Sequence, residues 1–173
     1  MSAEYAARAV GMLICDVDGV FTDGGLYYDT RGSISKRFNV QDGLGVKLAQ
    51  AAGLQVAVIS GLESEAVRLR IQELGVQEYH AGQVGKLDLL QDICRRHDLE
   101  PQELAYLGDD WVDAGIMRKV GLPMAVCNAQ PEILEIAVWI SRISGGHGAV
   151  RDAVRFILRA QGKWQGLWTK WAG

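Results

Sequence analysis

The sequence predicts one three-layer α/β domain: a Rossmann-like parallel sheet with helices on both faces, from which a single β-hairpin projects. Three observations lead there. Short apolar runs alternate with longer amphipathic segments along the chain, the pattern of repeated strand–helix units. Several of the amphipathic segments are closed by glycine, at Gly53, Gly75 and Gly121, as helix C-termini commonly are. The 173 residues, 49% of them hydrophobic, suffice for one core without disulfide or metal staples. No internal repeat, low-complexity tract or Pro-, Gly- or Ser-rich linker divides them, so 1–173 is read as one domain.

In chain order, Met12 to Val17 is the first apolar run and reads as a buried strand. Leu26 to Val40 breaks the rhythm, because aromatic and β-branched residues flank Asp29-Thr30-Arg31-Gly32; turn residues between two such runs predict a hairpin over about 26–40. The period then predicts a helix over Gly43 to Ala52, a strand over Val56 to Ile59, a helix over Ser64 to Leu74 and a short strand near Glu78 to His80. There follow a helix over Lys86 to His97, a strand over Leu104 to Leu107, a helix over Asp113 to Val120, a strand over Met124 to Val126 and a helix over Ala149 to Ala160. In the tail, 162–173, Trp164, Trp168 and Trp171 are spaced by four and three, one face of a helix. That face is read first as packing on the protein's own core or on another subunit. Only Lys163 and Lys170 stand beside it to meet lipid headgroups, so membrane binding is not expected.

Bulk composition removes other classes. A formal charge of -3, with no basic face or lysine run, argues against nucleic acid as a partner. Three cysteines are an odd number without metal-type spacing, and Cys15 and Cys127 lie in apolar runs; all three are expected to be free thiols, those two buried, in a reducing compartment. The first residues, MSAEYAARAVGM, lack a basic start followed by a long apolar core, and no later stretch approaches about 18 consecutive apolar residues. A cytoplasmic location is expected.

Ligands of parallel α/β sheets bind beyond the carboxyl ends of the strands, so the residues that end each apolar run carry the functional reading. The first run ends in Asp16-Val17-Asp18-Gly19-Val20-Phe21-Thr22-Asp23-Gly24, which alone is equally an Asx-rich turn. The second ends at Ile59-Ser60-Gly61, where a hydroxyl and a backbone N–H suit phosphate oxygens. Lys86 follows Gly85 at a helix start, where a cation opposes the helix dipole; a partner outside the helix is implied, against the default of a solvated lysine. The fourth run ends at Gly108-Asp109-Asp110-Trp111-Val112-Asp113, which with Asp16 and Asp18 makes an oxygen-rich set suited to Mg²⁺.

That conjunction and its order resemble the haloacid dehalogenase superfamily, over about Met12 to Val126. The resemblance implies a phosphatase with Asp16 as nucleophile and Asp18 as the acid and base of the leaving oxygen and the water. It implies Mg²⁺ held by the Asp16 carboxylate, the Asp18 backbone carbonyl and the Asp109 carboxylate. Ser60, Gly61 and Lys86 would hold the phosphoryl group, with Asp110 and Asp113 around them orienting Lys86 or a metal-bound water. Most members insert a cap domain, but the 25 residues from Gly61 to Gly85 hold one helix and a short strand, so a capless form is expected. Over nearly the full length, DVDGVFTDG, Phe38-Asn39-Val40-Gln41-Asp42-Gly43, Gly145-Gly146-His147-Gly148-Ala149-Val150-Arg151 and Ala160-Gln161-Gly162-Lys163 resemble the capless 3-deoxy-D-manno-octulosonate 8-phosphate phosphatase family. This implies a sugar-acid phosphate substrate in lipopolysaccharide precursor synthesis and a homotetramer whose hairpins pack centrally. It also implies a sugar pocket lined by Asn39, Asp42, Gly43 and Arg70, Arg70 facing the substrate carboxylate, and a tail that reaches a neighbouring site. Leu62 departs from the family, which often has a polar or charged residue there.

Two other classes compete. Phosphatases of nine-carbon sugar-acid 9-phosphates share every catalytic motif. A receiver-like signalling module also joins an Asp, Mg²⁺, a Ser or Thr and a Lys, but it phosphorylates an Asp on its third strand, and the run near Glu78 to His80 has none.

Overall fold

The computed structural model describes residues 2–173. Along the chain run α1 (Ala3–Ala9), β1 (Met12–Cys15), β2 (Tyr27–Tyr28), β3 (Ile34–Ser35), α2 (Val40–Ala51), β4 (Gln55–Ile59), α3 (Glu65–Leu74), β5 (Glu78–His80), α4 (Lys86–His97), β6 (Leu104–Gly108), α5 (Ala114–Met117), β7 (Leu122–Ala125), α6 (Pro131–Ile136), β8 (Trp139–Ile140), α7 (Ala149–Ala160) and α8 (Trp164–Ala172). Six strands form one sheet in the order β5-β4-β1-β6-β7-β8, every pair parallel. β1 is central, with Met12 opposite Gln55 on one side and Leu104 on the other. The chain steps outward from β1 through β4 to β5, then returns to add β6, β7 and β8 on the far side. Such a reversal opens a crevice at the carboxyl ends of the two strands beside it. Those strands are β1 and β6, and the residues that follow them are Asp16 and Asp109.

All residues of β1, β6 and β7 are buried, as expected of a sheet covered on both faces. α1, α2, α3 and α7 pack as one group and α4, α5 and α6 as another, which right-handed crossovers put on opposite faces. Between β1 and β4 lie only the hairpin and α2, and between β4 and α4 only α3 and β5, so no cap domain is inserted.

Beyond shifts of one or two residues at strand ends, such as β1 stopping at Cys15 rather than Val17 and β7 spanning Leu122–Ala125 rather than Met124 to Val126, the structure departs from the sequence reading in four places. α2 begins at Val40 rather than Gly43, because Asn39 caps it, its side chain accepting from the Gln41 N–H at 2.8 Å. The helix expected over Asp113 to Val120 shrinks to a 3-10 turn at Trp111–Asp113 followed by α5. The chain must leave it sharply for β7: Gly121 donates its N–H to Pro101 at 2.9 Å, and a side chain there would collide with the Gln102 backbone. α1, α6 and β8 were not expected, being too short for a periodic signal. Cys127, expected buried, is exposed, because β7 ends at Ala125 and the chain has already left the sheet; Cys15 is buried, and all three thiols are free.

The projecting hairpin is β2 and β3, joined antiparallel with Tyr27 opposite Ser35. Its apolar residues Leu26, Tyr27, Tyr28 and Ile34 are exposed. A single bridge between Thr22 and Phe38 closes its base, and Arg37 donates from there to the Gly146 carbonyl at 3.0 Å. In α8, Trp164 and Leu167 pack on the core while Trp168 and Trp171 stay exposed. No helix among the described residues is long and apolar enough to cross a membrane.

Candidate active site

Asp16 stands at the first position beyond β1, its N–H donating to the Leu107 carbonyl of β6 at 3.0 Å. Its side chain is 7% exposed, and its Oδ1 accepts from Lys86 Nζ at 2.5 Å. Lys86, 1% exposed, also donates to Asp113 Oδ1 at 2.7 Å. This is the partner that a lysine opening α4 required. Burial pulls the Lys86 pKa down, and the charges of Asp16 and Asp113 more than reverse it, so the ammonium is retained.

Asp113 is fully buried and saturated. Its Oδ1 takes Lys86 and the Tyr106 hydroxyl, the latter at 2.6 Å; its Oδ2 takes the Asp109 N–H at 2.9 Å and the Asp110 N–H at 3.3 Å. One carboxylate thus fixes a lysine, a strand and the loop that carries Asp109. Asp110 is exposed and accepts the Trp111 N–H at 2.6 Å.

Asp109 is different. Its Oδ1 is buried without a hydrogen-bond partner, and its other oxygen lies so close to the Gly19 Cα that any side chain there would collide with it. Gly19 has φ +92, so both backbone angle and space require glycine. Oxygens of Asp16, Asp109 and Asp113 lie within 4.8 Å of one another. Burial, then the charges of Asp16 and Asp113, push Asp109 up to about 8; burial and Asp113 push Asp16 up to about 6, against Lys86. Three close carboxylates with one ammonium and one orphaned oxygen are short of positive charge, and hard oxygen donors fit a cation such as Mg²⁺.

Ser60 follows β4 and is buried, its N–H donating to His80 at 2.8 Å and its hydroxyl to the Leu62 carbonyl at 2.9 Å. Around Gly61 a side chain would meet open space. Asp18, two residues beyond Asp16, is held by Lys36 of the hairpin at 2.6 and 2.8 Å.

The four sugar-pocket candidates form a second group. Asn39 caps α2. Asp42, 1% exposed, receives the Gly148 N–H at 3.2 Å and the Arg151 N–H at 3.0 Å, tying α2 to the start of α7. Gly43 lies beneath the Arg70 guanidinium, which a side chain there would push aside. Arg70 pairs with Glu73 at 2.8 Å and is 18% exposed.

Two side chains in this arrangement escaped the sequence reading. Tyr106 carried a usable signal, a phenol inside the aliphatic run Leu104 to Leu107, since buried tyrosine hydroxyls generally find a partner. Lys36 carried none, because a lysine in a short exposed hairpin reads as solvated.

Comparison with known proteins bears on this geometry. Residues 78–151 match the haloacid dehalogenase-like hydrolase family. The chain is similar to the 3-deoxy-D-manno-octulosonate 8-phosphate phosphatase of Escherichia coli K12, 40% identical over 165 residues, covering 94% of this chain and 88% of that one. It is similar also to the solved structure of the enzyme of that name from Yersinia pestis, at 38% identity, a TM-score of 0.93, and coverage of 95% of this chain and 89% of that one. The Moraxella catarrhalis enzyme, solved in complex with a magnesium ion, a phosphate ion and a KDO molecule, matches at 32% identity with a TM-score of 0.95, covering 98% of this chain and 97% of that one.

Proposed function

Because this chain belongs to the haloacid dehalogenase-like hydrolases, and within them to the 3-deoxy-D-manno-octulosonate 8-phosphate phosphatase family, we propose that it hydrolyses 3-deoxy-D-manno-octulosonate 8-phosphate to 3-deoxy-D-manno-octulosonate and phosphate. The observation that carries the reading is the Asp16 carboxylate, bonded to buried Lys86 at the crevice between β1 and β6, beside an Asp109 oxygen with no partner.

The roles follow from the demands of phosphoryl transfer. The Asp16 oxygen attacks phosphorus as the bond to the sugar oxygen breaks, leaving an aspartyl phosphate. Asp18 delivers a proton to the departing alkoxide, then takes one from the water that attacks the aspartyl phosphate and frees inorganic phosphate. Ser60, the Gly61 N–H and Lys86 hold the phosphoryl oxygens, and Asp113 and Tyr106 keep Lys86 in place. The Asp16 carboxylate, the Asp18 carbonyl and the Asp109 carboxylate are the proposed Mg²⁺ ligands, and the ion offsets repulsion between these acids and a phosphate dianion. For the sugar acid, Asn39, Asp42, Gly43 and Arg70 are the proposed lining, with Arg70 as carboxylate partner.

We place the enzyme in the cytoplasm as a homotetramer. Three free thiols support the compartment, and the exposed Leu26, Tyr27, Tyr28 and Ile34 support the hairpin as a subunit contact. The test is phosphate release with Mg²⁺ and with excess chelator, from eight-carbon and nine-carbon sugar-acid phosphates beside hexose phosphates. Chelator-sensitive preference for the eight-carbon acid is expected. Preference for a nine-carbon acid would move the substrate, and no release from any would remove the phosphatase reading.

A further inference from the structure

Lys36 is out of place for a hairpin lysine. Its neighbours Ser33, Ile34, Ser35 and Arg37 are exposed, yet its own side chain is 2% exposed and gives both of its hydrogen bonds to the Asp18 carboxylate, at 2.6 Å to one oxygen and 2.8 Å to the other. Burying an ammonium costs several kcal/mol, which the attraction of one carboxylate barely offsets. The buried side chain fastens the hairpin to the Asp18 carboxylate, which neither Lys86 nor Asp113 holds. The base of the hairpin is tied to the domain on this side by the Thr22–Phe38 bridge and by Arg37 on the Gly146 carbonyl.

We propose that Lys36 is a positioning residue for the phosphatase reaction: reaching Asp18 from the hairpin, it keeps that carboxyl facing the leaving oxygen of an alkyl phosphate, and once Asp18 has taken a proton from solvent on one oxygen, Lys36 donates to the other alone while that proton passes to the departing alkoxide. The inference rests on the functional reading above. It gives the hairpin a task within its own subunit, separate from any contact with a neighbour.

The consequence depends on the leaving group. An alkoxide needs a proton as it departs, whereas p-nitrophenolate leaves without one, so a misplaced Asp18 is felt in the first case and hardly in the second. Lys36→Met keeps the length and removes the charge; Lys36→Arg keeps the charge. The measurement is kcat/KM, which reports steps through formation of the aspartyl phosphate, for the sugar-acid phosphate and for p-nitrophenyl phosphate, with thermal unfolding as a check on folding.

With Lys36→Met, the sugar-acid phosphate value is expected to fall by at least about tenfold, a partial loss of the roughly hundredfold or more that proton transfer contributes. The aryl value should change by less than about threefold, and Lys36→Arg should recover most of the loss. An equal fall for both substrates would make Lys36 a structural residue, a rise in KM alone would make it a substrate contact, and no change would make the pair incidental; each overturns the proposal. Should Lys36→Met not fold, Lys36→Gln answers the same comparison. Wild-type protein inactive on every alkyl phosphate would instead remove the functional reading itself.

Discussion

Gly145→Ala is the most direct probe of how this site is held. Gly145, before α7, passes the loop that follows β1 so closely that a Cβ would fall 1.6 Å from the Gly19 carbonyl oxygen and 3.0 Å from the Val20 nitrogen. A carbon and a carbonyl oxygen approach no nearer than about 3.3 Å, so one backbone must move by more than about 1.5 Å. Neither yields easily. Gly145 donates its N–H to Asn128 Oδ1 at 2.9 Å, and the Gly146 N–H donates to the Val20 carbonyl at 2.9 Å, so the shift is transmitted to the segment Asp18 to Val20. Displacing reacting groups by about 1 Å costs on the order of a hundredfold in rate, and overpacking of this kind costs about 1–3 kcal/mol, or a fall in Tm of roughly 3–10 °C at this size. Phosphate release with Mg²⁺ and thermal denaturation read the two effects separately. We expect a folded variant at 25 °C whose kcat/KM is down about a hundredfold. An alanine variant within about threefold of wild type in activity, melting within about 1 °C of it, would show that the two loops do not constrain each other.

Other predictions follow from the electrostatics. Asp109 and Asp16 have pKa values raised above their unfolded values, to about 8 and about 6, so in metal-free protein their penalty is absent below about pH 4 and grows to a few kcal/mol as pH rises towards 8. Metal-free protein should therefore melt lower at pH 8 than at pH 5.5, and Mg²⁺ should raise Tm more at pH 8; a metal effect that shrinks with rising pH would contradict this. Asp16→Asn should fold and release no phosphate, checked by a turnover assay beside circular dichroism. Tyr106→Phe removes one buried donor to Asp113 and should lower Tm by about 2–4 °C, the loss of about 1 kcal/mol, with a smaller effect on KM than on kcat. Glu78 joins β5 to α4 through His97 and Arg96 and also pairs with His80 on its own strand; burial pushes its pKa up, and these partners win, bringing it to about 2. Its contribution is therefore full above about pH 4.5 and lost as pH falls through 2, and Glu78→Gln should cost about 1 kcal/mol in a urea melt at pH 7 but almost nothing at pH 2.

How legible each part was depended on how local its cause is. The runs Met12 to Val17 and Leu104 to Leu107 were readable as buried strands because a strand covered on both faces has no polar side to confuse the pattern. The helices Lys86–His97 and Ala149–Ala160 were found with their observed ends, since long amphipathic periods survive local noise. Asp113 to Val120 failed because its length is set by the turn against Pro101 and Gln102, residues that the periodic window does not contain.

The order of motifs along the chain already implied which strand ends would carry the acidic groups, because a parallel sheet collects the carboxyl ends of its strands on one edge whatever lies between them. Which oxygen meets which donor was another matter. That Asp113 would hold Lys86, Tyr106 and the Asp109 loop at once, that Asp42 would tie α2 to α7, and that Lys36 would turn inward to Asp18 are contacts between segments 3 to 109 residues apart. Composition and period describe a residue's neighbours in the chain; the desolvation and pairing of a charge depend on its neighbours in space, and these exist only once the sheet has brought its strand ends together.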